Sequence, residues 1–500
     1  MRHGASPHTV QDGVTVSYME FAQLTHRVAC GLRAAGVAEG DRVAIWSRND
    51  MRMLQAIYGA WRCGAVVVPL NARNAAEENV DLIRRFGCKV LLAQPDVVGL
   101  AELTRAAPEL GLIVPFDAWS DLQPYAAWLE KQEAHFPDRY FSAEEPAAIF
   151  ATSGTTGLPK GVVHTHAGLA SMSMGYRNVL DISAGVRHLV VGGMTHVAGG
   201  IVYATTGLGA TQYISHSTRA SDILDRIERD HIDMLFVPPT LIYALLDEQL
   251  SSPSSRRDLS SLKTLIYAGS SISPARLQQA IEVFGNILVN VYSQTEVLYP
   301  ITSLSKADHA RIATGEEKLL RSAGKPTRTC IVGILDDQMQ HVPVGERGEI
   351  CTRSLSGMLS FFNSPGAVHE LRSGGWHHTG DIGVMDEEGF VYIVDRKKDM
   401  IVSGGFNVYP AEVETVLSRH ADVADSAVVG LPDEKWGERV AAFVVARPGM
   451  ARDDATLIEH CRSALGSVKA PKEIIWRDEL PRNSAGKVLK HILRKEGQTA

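Results

Sequence analysis

The chain reads as an α/β protein. A large amino-terminal domain of layered α/β sheets ends in a β-rich part, and a small α+β domain follows. Three observations predict this architecture. The 500 residues exceed what one ordinary hydrophobic core holds. Helix and strand signals alternate up to about residue 325, and beyond it short apolar runs are separated by turns.

The elements follow in order. Ser17-x-x-Glu20 is a capping box, and Phe21, Leu24, Val28 and Leu32 recur at helical spacing until Gly36 stops the helix. Val43–Trp46 reads as a strand. The next helix ends near Gly64, and Val66–Val68 resumes as strand. Ala147-Ala148-Ile149-Phe150 reads as a buried strand. Met234–Val237 precedes a helix from about Thr240, and Leu265–Tyr267 precedes a helix opened by Ser273 and Pro274. Ile287–Val289 then runs into Asn290-Val291-Tyr292. This βαβ rhythm implies a parallel sheet covered by helices. The turns Asp336-Asp337 and Gly345-Glu346-Arg347-Gly348 belong to the β-rich part, about 325–397. The charged cluster Asp395-Arg396-Lys397-Lys398-Asp399 marks the expected boundary, giving domains 1–397 and 398–500. The second contains a helix from Pro410, a strand over Ala441–Val445 and a helix near Leu457–Leu465.

Composition excludes several classes. A net charge of -7 argues against a general nucleic-acid binder. No apolar stretch reaches the length of a membrane span, and the first residues lack the apolar core of a signal peptide. Six cysteines form no Cys-x-x-Cys pair, so neither a zinc knuckle nor a disulfide framework is indicated. A cytoplasmic enzyme-sized protein is expected. Nothing in the sequence selects between a monomer and a homodimer.

The most informative segment is Thr152-Ser153-Gly154-Thr155-Thr156-Gly157-Leu158-Pro159-Lys160-Gly161. It supplies three glycines, four hydroxyls and one lysine. Glycines let backbone N–H groups crowd an anion, hydroxyls add donors, and the lysine adds a point charge. That is the composition of a polyphosphate cradle, although a surface turn has it too. It is not a Walker A loop: Pro159 stands where that motif needs its second glycine, and Gly161 where it needs a hydroxyl. Downstream come Tyr292-Ser293-Gln294-Thr295-Glu296 at a strand end, Trp376-His377-His378-Thr379-Gly380-Asp381, Ser403-Gly404-Gly405 and Pro481-Arg482-Asn483-Ser484-Ala485-Gly486-Lys487.

In this order, these motifs resemble the adenylate-forming superfamily of acyl-CoA synthetases, adenylation domains and luciferases. The resemblance covers nearly the whole chain. Met194-Thr195-His196-Val197, Phe236–Thr240, Tyr267-Ala268-Gly269 and Pro432–Gly437 look closest to aryl-CoA ligases of the chlorobenzoate and benzoate type.

The resemblance implies two half-reactions. A carboxylate attacks the α-phosphate of MgATP to give an acyl-adenylate and pyrophosphate, and the thiol of coenzyme A then displaces AMP. Thr152, Ser153, Gly154, Thr155, Thr156, Gly157 and Lys160 would hold the outer phosphates. Glu296 would bind Mg²⁺, a hard cation that prefers oxygen, and Thr295 would donate to the α-phosphate. Tyr292 would offer a face to adenine, opposite Ala268, Gly269 and Ser270. Asp381 would accept from both ribose hydroxyls, assisted by Arg396. Lys487 would bridge the carboxylate and the α-phosphate in the adenylation step alone. Lys398 would be the hinge of a mobile carboxyl-terminal domain that then presents Ser403, Gly404 and Gly405 to pantetheine. Trp436, Lys469 and Lys472 would meet the CoA nucleotide, although Trp436 also suits a core.

His196 matches the family's gate between acyl pocket and thiol channel. Val197 follows it where amino-acid-activating relatives carry an aspartate, which disfavours an ammonium substrate. The other histidines, among them His164, His166, His377 and His378, show no metal-ligand spacing. Val291 and Ser293 replace glycines usual in the family. With His196, Val197, Val237, Ala268, Ser293, Leu298 and Tyr299 around it, a compact apolar pocket is expected. An aromatic or small cyclic acid fits it first, and a short or medium acyl chain second. An enzyme loading a carrier protein is the remaining alternative; fatty acyl-AMP ligases of that kind carry an insertion for which this chain has little room. Intact Lys160, Glu296, Asp381 and Lys487 argue against a non-catalytic scaffold.

Overall fold

The computed structural model describes residues 3–97, 99, 103–105, 107–152, 160–180, 182–195, 197–251, 256–298, 300–364, 366, 368, 371–450, 452–482 and 488–499. By packing, the chain divides into two compact units. One comprises Met1–Val332, Thr352–His377 and Gly389–Val391; the other comprises Gly333–Cys351, His378–Glu388 and Tyr392–Ala500.

Local sequence signals produce the first unit's elements. Ser17 caps helix Tyr18–Ala34, and its backbone N–H donates back to Glu20 at 2.8 Å, completing the capping box. Pro274 occupies the first turn of helix Pro274–Phe284, where its missing N–H has no helical partner to lose.

Two sheets organise this unit. Among the described residues, the larger has nine strands. Leu288–Tyr292, Thr264–Tyr267, Met234–Val237, Arg187–Val190, Thr211–Ile214 and Pro7–Gln11 lie side by side in that order, all parallel. The other sheet has seven described strands, with Arg42–Ser47, Val66–Asn71 and Cys88–Ala93 parallel at its centre. These central strands are apolar on both faces because helices cover both; Val43, Ala44, Ile45 and Trp46 are fully buried.

The β-rich part is a four-stranded sheet, ordered Cys330–Leu335, Gly348–Ser354, His377–Met385, Val391–Arg396. In the second unit, the long antiparallel pair Val423–Asp433 and Gly437–Ala446 forms the spine. Helices Pro410–Leu417 and Asp454–Lys469 pack on one side of it through Val413, Val416, Leu457 and Cys461. Leu493 of helix Lys490–Thr499 packs on Leu431 and Phe443 on the other.

Candidate active site

Parallel register brings together segments far apart in sequence. Val237 pairs with Tyr267, and Tyr267 with Asn290. The residues after each strand, Pro238, Ala268-Gly269-Ser270 and Ser293–Glu296, therefore leave the sheet at one edge. This is the carboxyl edge, where open α/β sheets bind ligands. Gly269 takes φ +91°, a conformation that side chains resist, although a Cβ there would meet no atom within 4 Å. Its backbone, not lack of space, requires glycine.

Three tethers fix the Tyr292–Leu298 segment. The buried His164 donates from Nε2 to the Thr295 carbonyl at 2.7 Å. Met358 N–H donates to the Glu296 carbonyl at 2.8 Å, and the Ser356 hydroxyl donates to the Leu298 carbonyl at 2.7 Å. Burial pushes the His164 ring down to about 4, so it is neutral at ordinary pH. Sequence reasoning passed over His164. The only signal was its place on strand Lys160–Thr165, directly after the glycine-rich loop.

That loop joins two antiparallel strands, and Thr152 pairs with Lys160 across its base. Lys160 Nζ stands 5.0 Å above the Phe361 ring. Ser153, Gly154, Thr155, Thr156 and Gly157 lie outside the described residues, as do His196, Tyr299 and Lys487.

Among the candidate acyl-pocket residues, Ala268 and Leu298 belong to one buried apolar cluster with Phe236 and Val291, and the half-buried Val197 packs against it. Val237 is fully buried but lies outside that cluster, because successive strand residues face opposite sides. Ser293 Oγ is buried with no hydrogen-bond partner among the described residues.

The second unit holds the remaining candidates. Asp381 is 3% exposed, and its Oδ1 accepts from Arg396 Nε at 2.8 Å. The Thr379 hydroxyl donates to the Ile350 carbonyl at 2.6 Å and accepts from Asp381 N–H at 3.1 Å. Glu349 Oε1 accepts from Gly380 N–H at 3.0 Å. Burial alone would raise the Glu349 carboxyl, but hydrogen bonds from His378 and Lys397 outweigh it and hold it below its ordinary range. Glu349 thus braces the Thr-Gly-Asp segment, and no local pattern in the sequence marked it.

Lys398 sits in the turn Lys397–Asp399. Asp395 Oδ2 accepts from Ala411 N–H at 2.7 Å, and Asp399 pairs with Arg494 at 2.7 Å. Gly404 and Gly405, with φ of +59° and +83°, form the two-residue turn between strands Ile401–Ser403 and Phe406–Val408. Trp436 is not core: it is 41% exposed and covers Gly404, where a Cβ would approach its ring to 2.7 Å. Ser403 is buried. Lys469 pairs with Glu412 at 2.6 Å, and Lys472 donates to the Ser467 and Ala470 carbonyls.

Known proteins resemble this chain in sequence and fold. The family model described as AMP-binding enzyme matches residues 1–362, and the AMP-binding enzyme C-terminal domain matches residues 412–487. A fatty acid–[acyl-carrier-protein] ligase, ScoC of Streptomyces coeruleorubidus, is 32% identical, the match covering 98% of this chain and 93% of that protein. Length therefore does not separate this chain from every carrier-protein ligase, contrary to the expectation from insertions. The indoleacetate–CoA ligase of Aromatoleum aromaticum is 35% identical, with 96% and 93% covered. The solved amide bond synthetase McbA of Marinactinospora thermotolerans superposes with a TM-score of 0.86 at 27% identity, covering 99% of this chain and 98% of that one. No described helix is long and apolar enough to cross a membrane. Two family models in sequence, relatives matched over nearly their full length and the superposed fold agree: this chain belongs to the AMP-binding enzyme family of acyl- and aryl-CoA ligases.

Proposed function

We propose that the protein activates an aromatic or small cyclic carboxylic acid as its adenylate and transfers the acyl group to coenzyme A. One observation carries this reading. The parallel register delivers Ala268–Ser270 and Tyr292–Glu296 to one sheet edge, with the Thr295–Glu296 segment tethered by His164 and Met358.

A carboxylate is a poor acyl donor because its oxygen leaves poorly, and joining that oxygen to a phosphate corrects this. Phosphoryl chemistry asks for position and charge neutralisation, which preorganised groups supply without reorganising. Thr152 through Gly157 and Lys160 hold the outer phosphates in this proposal. Glu296, whose backbone is tethered by Met358, would hold Mg²⁺ through its carboxylate, and the ion would supply charge neutralisation. Asp381 receives the ribose hydroxyls, and Arg396, which donates to its Oδ1, keeps the carboxylate turned. Lys487 neutralises the approach of two anions. Rotation at Lys398 then exchanges Lys487 for the Gly404-Gly405 turn, and Trp436, resting on that turn, meets the thiol substrate. Lys469 and Lys472 reach CoA phosphates only by leaving their present partners.

The apolar cluster around Phe236, Ala268 and Leu298 supports a compact acyl group, and the Ser293 hydroxyl, buried without a partner among the described residues, favours one carrying a polar substituent. A short or medium alkyl acid, or a carrier-protein thiol as acceptor, are the other readings. Incubation with ATP, Mg²⁺ and a panel of substituted aryl and alkyl acids tests the proposal. AMP and pyrophosphate should form with the aryl acids, and thioester should follow when CoA is added. No acid-dependent AMP release with any member would end it.

A further inference from the structure

Three side chains outside the adenylation chemistry meet within the second unit. Glu349 and Cys351 are two apart on strand Gly348–Ser354 and so face the same side. His378 lies on strand His377–Met385. Its Nδ1 is 3.0 Å from Glu349 Oε2 and 3.6 Å from Cys351 Sγ. The three ligand atoms lie within 4.8 Å of one another. Around a tetrahedral zinc ion, with bonds of about 2.0–2.3 Å, neighbouring ligand atoms stand roughly 3.3–3.8 Å apart. The Cys351–His378 edge of 3.6 Å matches that spacing and the Glu349–His378 edge of 3.0 Å is slightly shorter, so small side-chain shifts bring the three atoms to corners of such a site; Glu349 and Cys351 are buried.

Its surroundings are also those of a metal site. Gly380 N–H holds Glu349 Oε1 at 3.0 Å, orienting the carboxylate so that Oε2 faces the cluster. His378 Nε2, which must carry the ring proton once Nδ1 binds a metal, is buried without a partner among the described residues, so binding has to draw in a water or outweigh that cost. One cation already stands at the cluster: Lys397 Nζ lies 3.1 Å from Glu349 Oε2 and 2.9 Å from Asp337 Oδ1. Asp337 is 80% exposed, so Lys397 has a second carboxylate to retain when it leaves the first.

We propose that Glu349, Cys351 and His378 bind a soft divalent transition-metal ion such as Zn²⁺, in competition with Lys397. On binding, Cys351 gives its thiol proton to solvent and a metal–sulfur bond forms. The His378 proton, now on Nδ1 facing Glu349, transfers to Nε2 through solvent, freeing Nδ1 to bind the metal. Glu349 Oε2 exchanges the Lys397 ammonium for the ion, and water fills the fourth position. One proton is released per ion. Thiolate and imidazole select zinc over magnesium, so this site is chemically distinct from the one assigned to Glu296.

The site reaches the adenylation chemistry through two neighbours. Glu349 braces Gly380, next to Asp381, and Lys397 adjoins Lys398. Metal binding at Glu349 therefore slows the enzyme, a consequence that rests on the function proposed above, whereas the binding itself does not.

Cobalt titration of the full chain, freed of metal by chelation, tests the site directly. A thiolate-to-cobalt charge-transfer band should grow to one ion per chain, and zinc should abolish it. Cys351→Ser, with an unchanged circular dichroism spectrum, should lose the band and bind zinc about a hundredfold or more weakly, since even supporting residues are worth 10–100-fold. Lys397→Ala should bind zinc about fivefold more tightly, the worth of a partly exposed ion pair. A wild-type protein with no band at millimolar cobalt overturns the site, as does a band that survives Cys351→Ser. Equal zinc affinity in wild type and Lys397→Ala overturns the competition. In the acid-activation assay, zinc should slow wild type and spare Cys351→Ser; equal inhibition of both overturns the link to activity while the spectroscopic result stands. Absence of acid activation altogether strikes only the proposed function.

Discussion

His164 Nε2 donates to the Thr295 carbonyl across 2.7 Å, tying the strand after the glycine-rich loop to the segment that carries Glu296. Replacing His164 by Ala leaves a buried carbonyl unpaired, which costs about 2 kcal/mol. Denaturant unfolding should report that loss, and pyrophosphate exchange should slow about tenfold. His164→Gln, whose amide nitrogen reaches the Nε2 position, should recover most of the rate. Equal rates in both variants and wild type would show that the tether does not position the site.

Acid should destabilise the first unit through its buried histidines. Burial holds His8 at about 3 and His164, His188 and His309 at about 4, against 6.5 when unfolded. Between those values the unfolded chain binds protons that the folded chain refuses, so stability is full above pH 6.5 and falls as pH drops toward 4. Each histidine contributes about 1.4 kcal/mol per pH unit in that window, giving an upper bound of about 6 kcal/mol per unit for the four. In the second unit, burial raises the carboxyls of Asp395 and Glu414, so acid acts there in the opposite sense. Urea unfolding at pH 7.0, 6.0 and 5.0 measures the slope; a flat profile would contradict the burial of these rings.

The Ser293 hydroxyl sets up a substrate comparison. With aryl acids differing by one hydroxyl or methoxy group, wild type should prefer the oxygenated acid by about tenfold in kcat/KM, and Ser293→Ala should lose that preference. Discrimination that survives the substitution would remove Ser293 from the pocket.

Gly404→Ala separates the half-reactions. The new Cβ would press on the Trp436 ring in a backbone conformation that alanine resists. Thioester formation from supplied acyl-adenylate and CoA should fall about tenfold or more, with adenylation unchanged. A parallel fall in both would place the turn in general stability instead.

Lys487→Ala should do the reverse. Adenylation should fall about a hundredfold, the scale of one lost electrostatic stabiliser. Thioester formation from supplied adenylate should persist, and its loss would contradict a role confined to the first step.

The local elements were largely legible. The Ser17–Glu20 box, the Pro274 helix start and strand Met234–Val237 stand where the sequence places them. Each depends on residues within one or two turns of each other. Trp436 was not legible in this way, because an aromatic side chain suits a core and a ligand surface equally. Its place was settled by the glycine turn beneath it.

By itself, the sequence determined the α/β class, the motif order and hence the acid-activating chemistry the family implies. Those depend on periodicity and on residue types at fixed spacing, which survive without coordinates. Only tertiary structure decided which side chains share an environment. It put His164 on Thr295, 131 positions away, and Glu349 behind Gly380, 31 positions away. It also turned His378, whose spacing suggested no metal set, toward Glu349 and Cys351. The physical reason is common to all three: sheet register chooses neighbours across strands, and burial favours pairings between polar atoms that no local pattern announces.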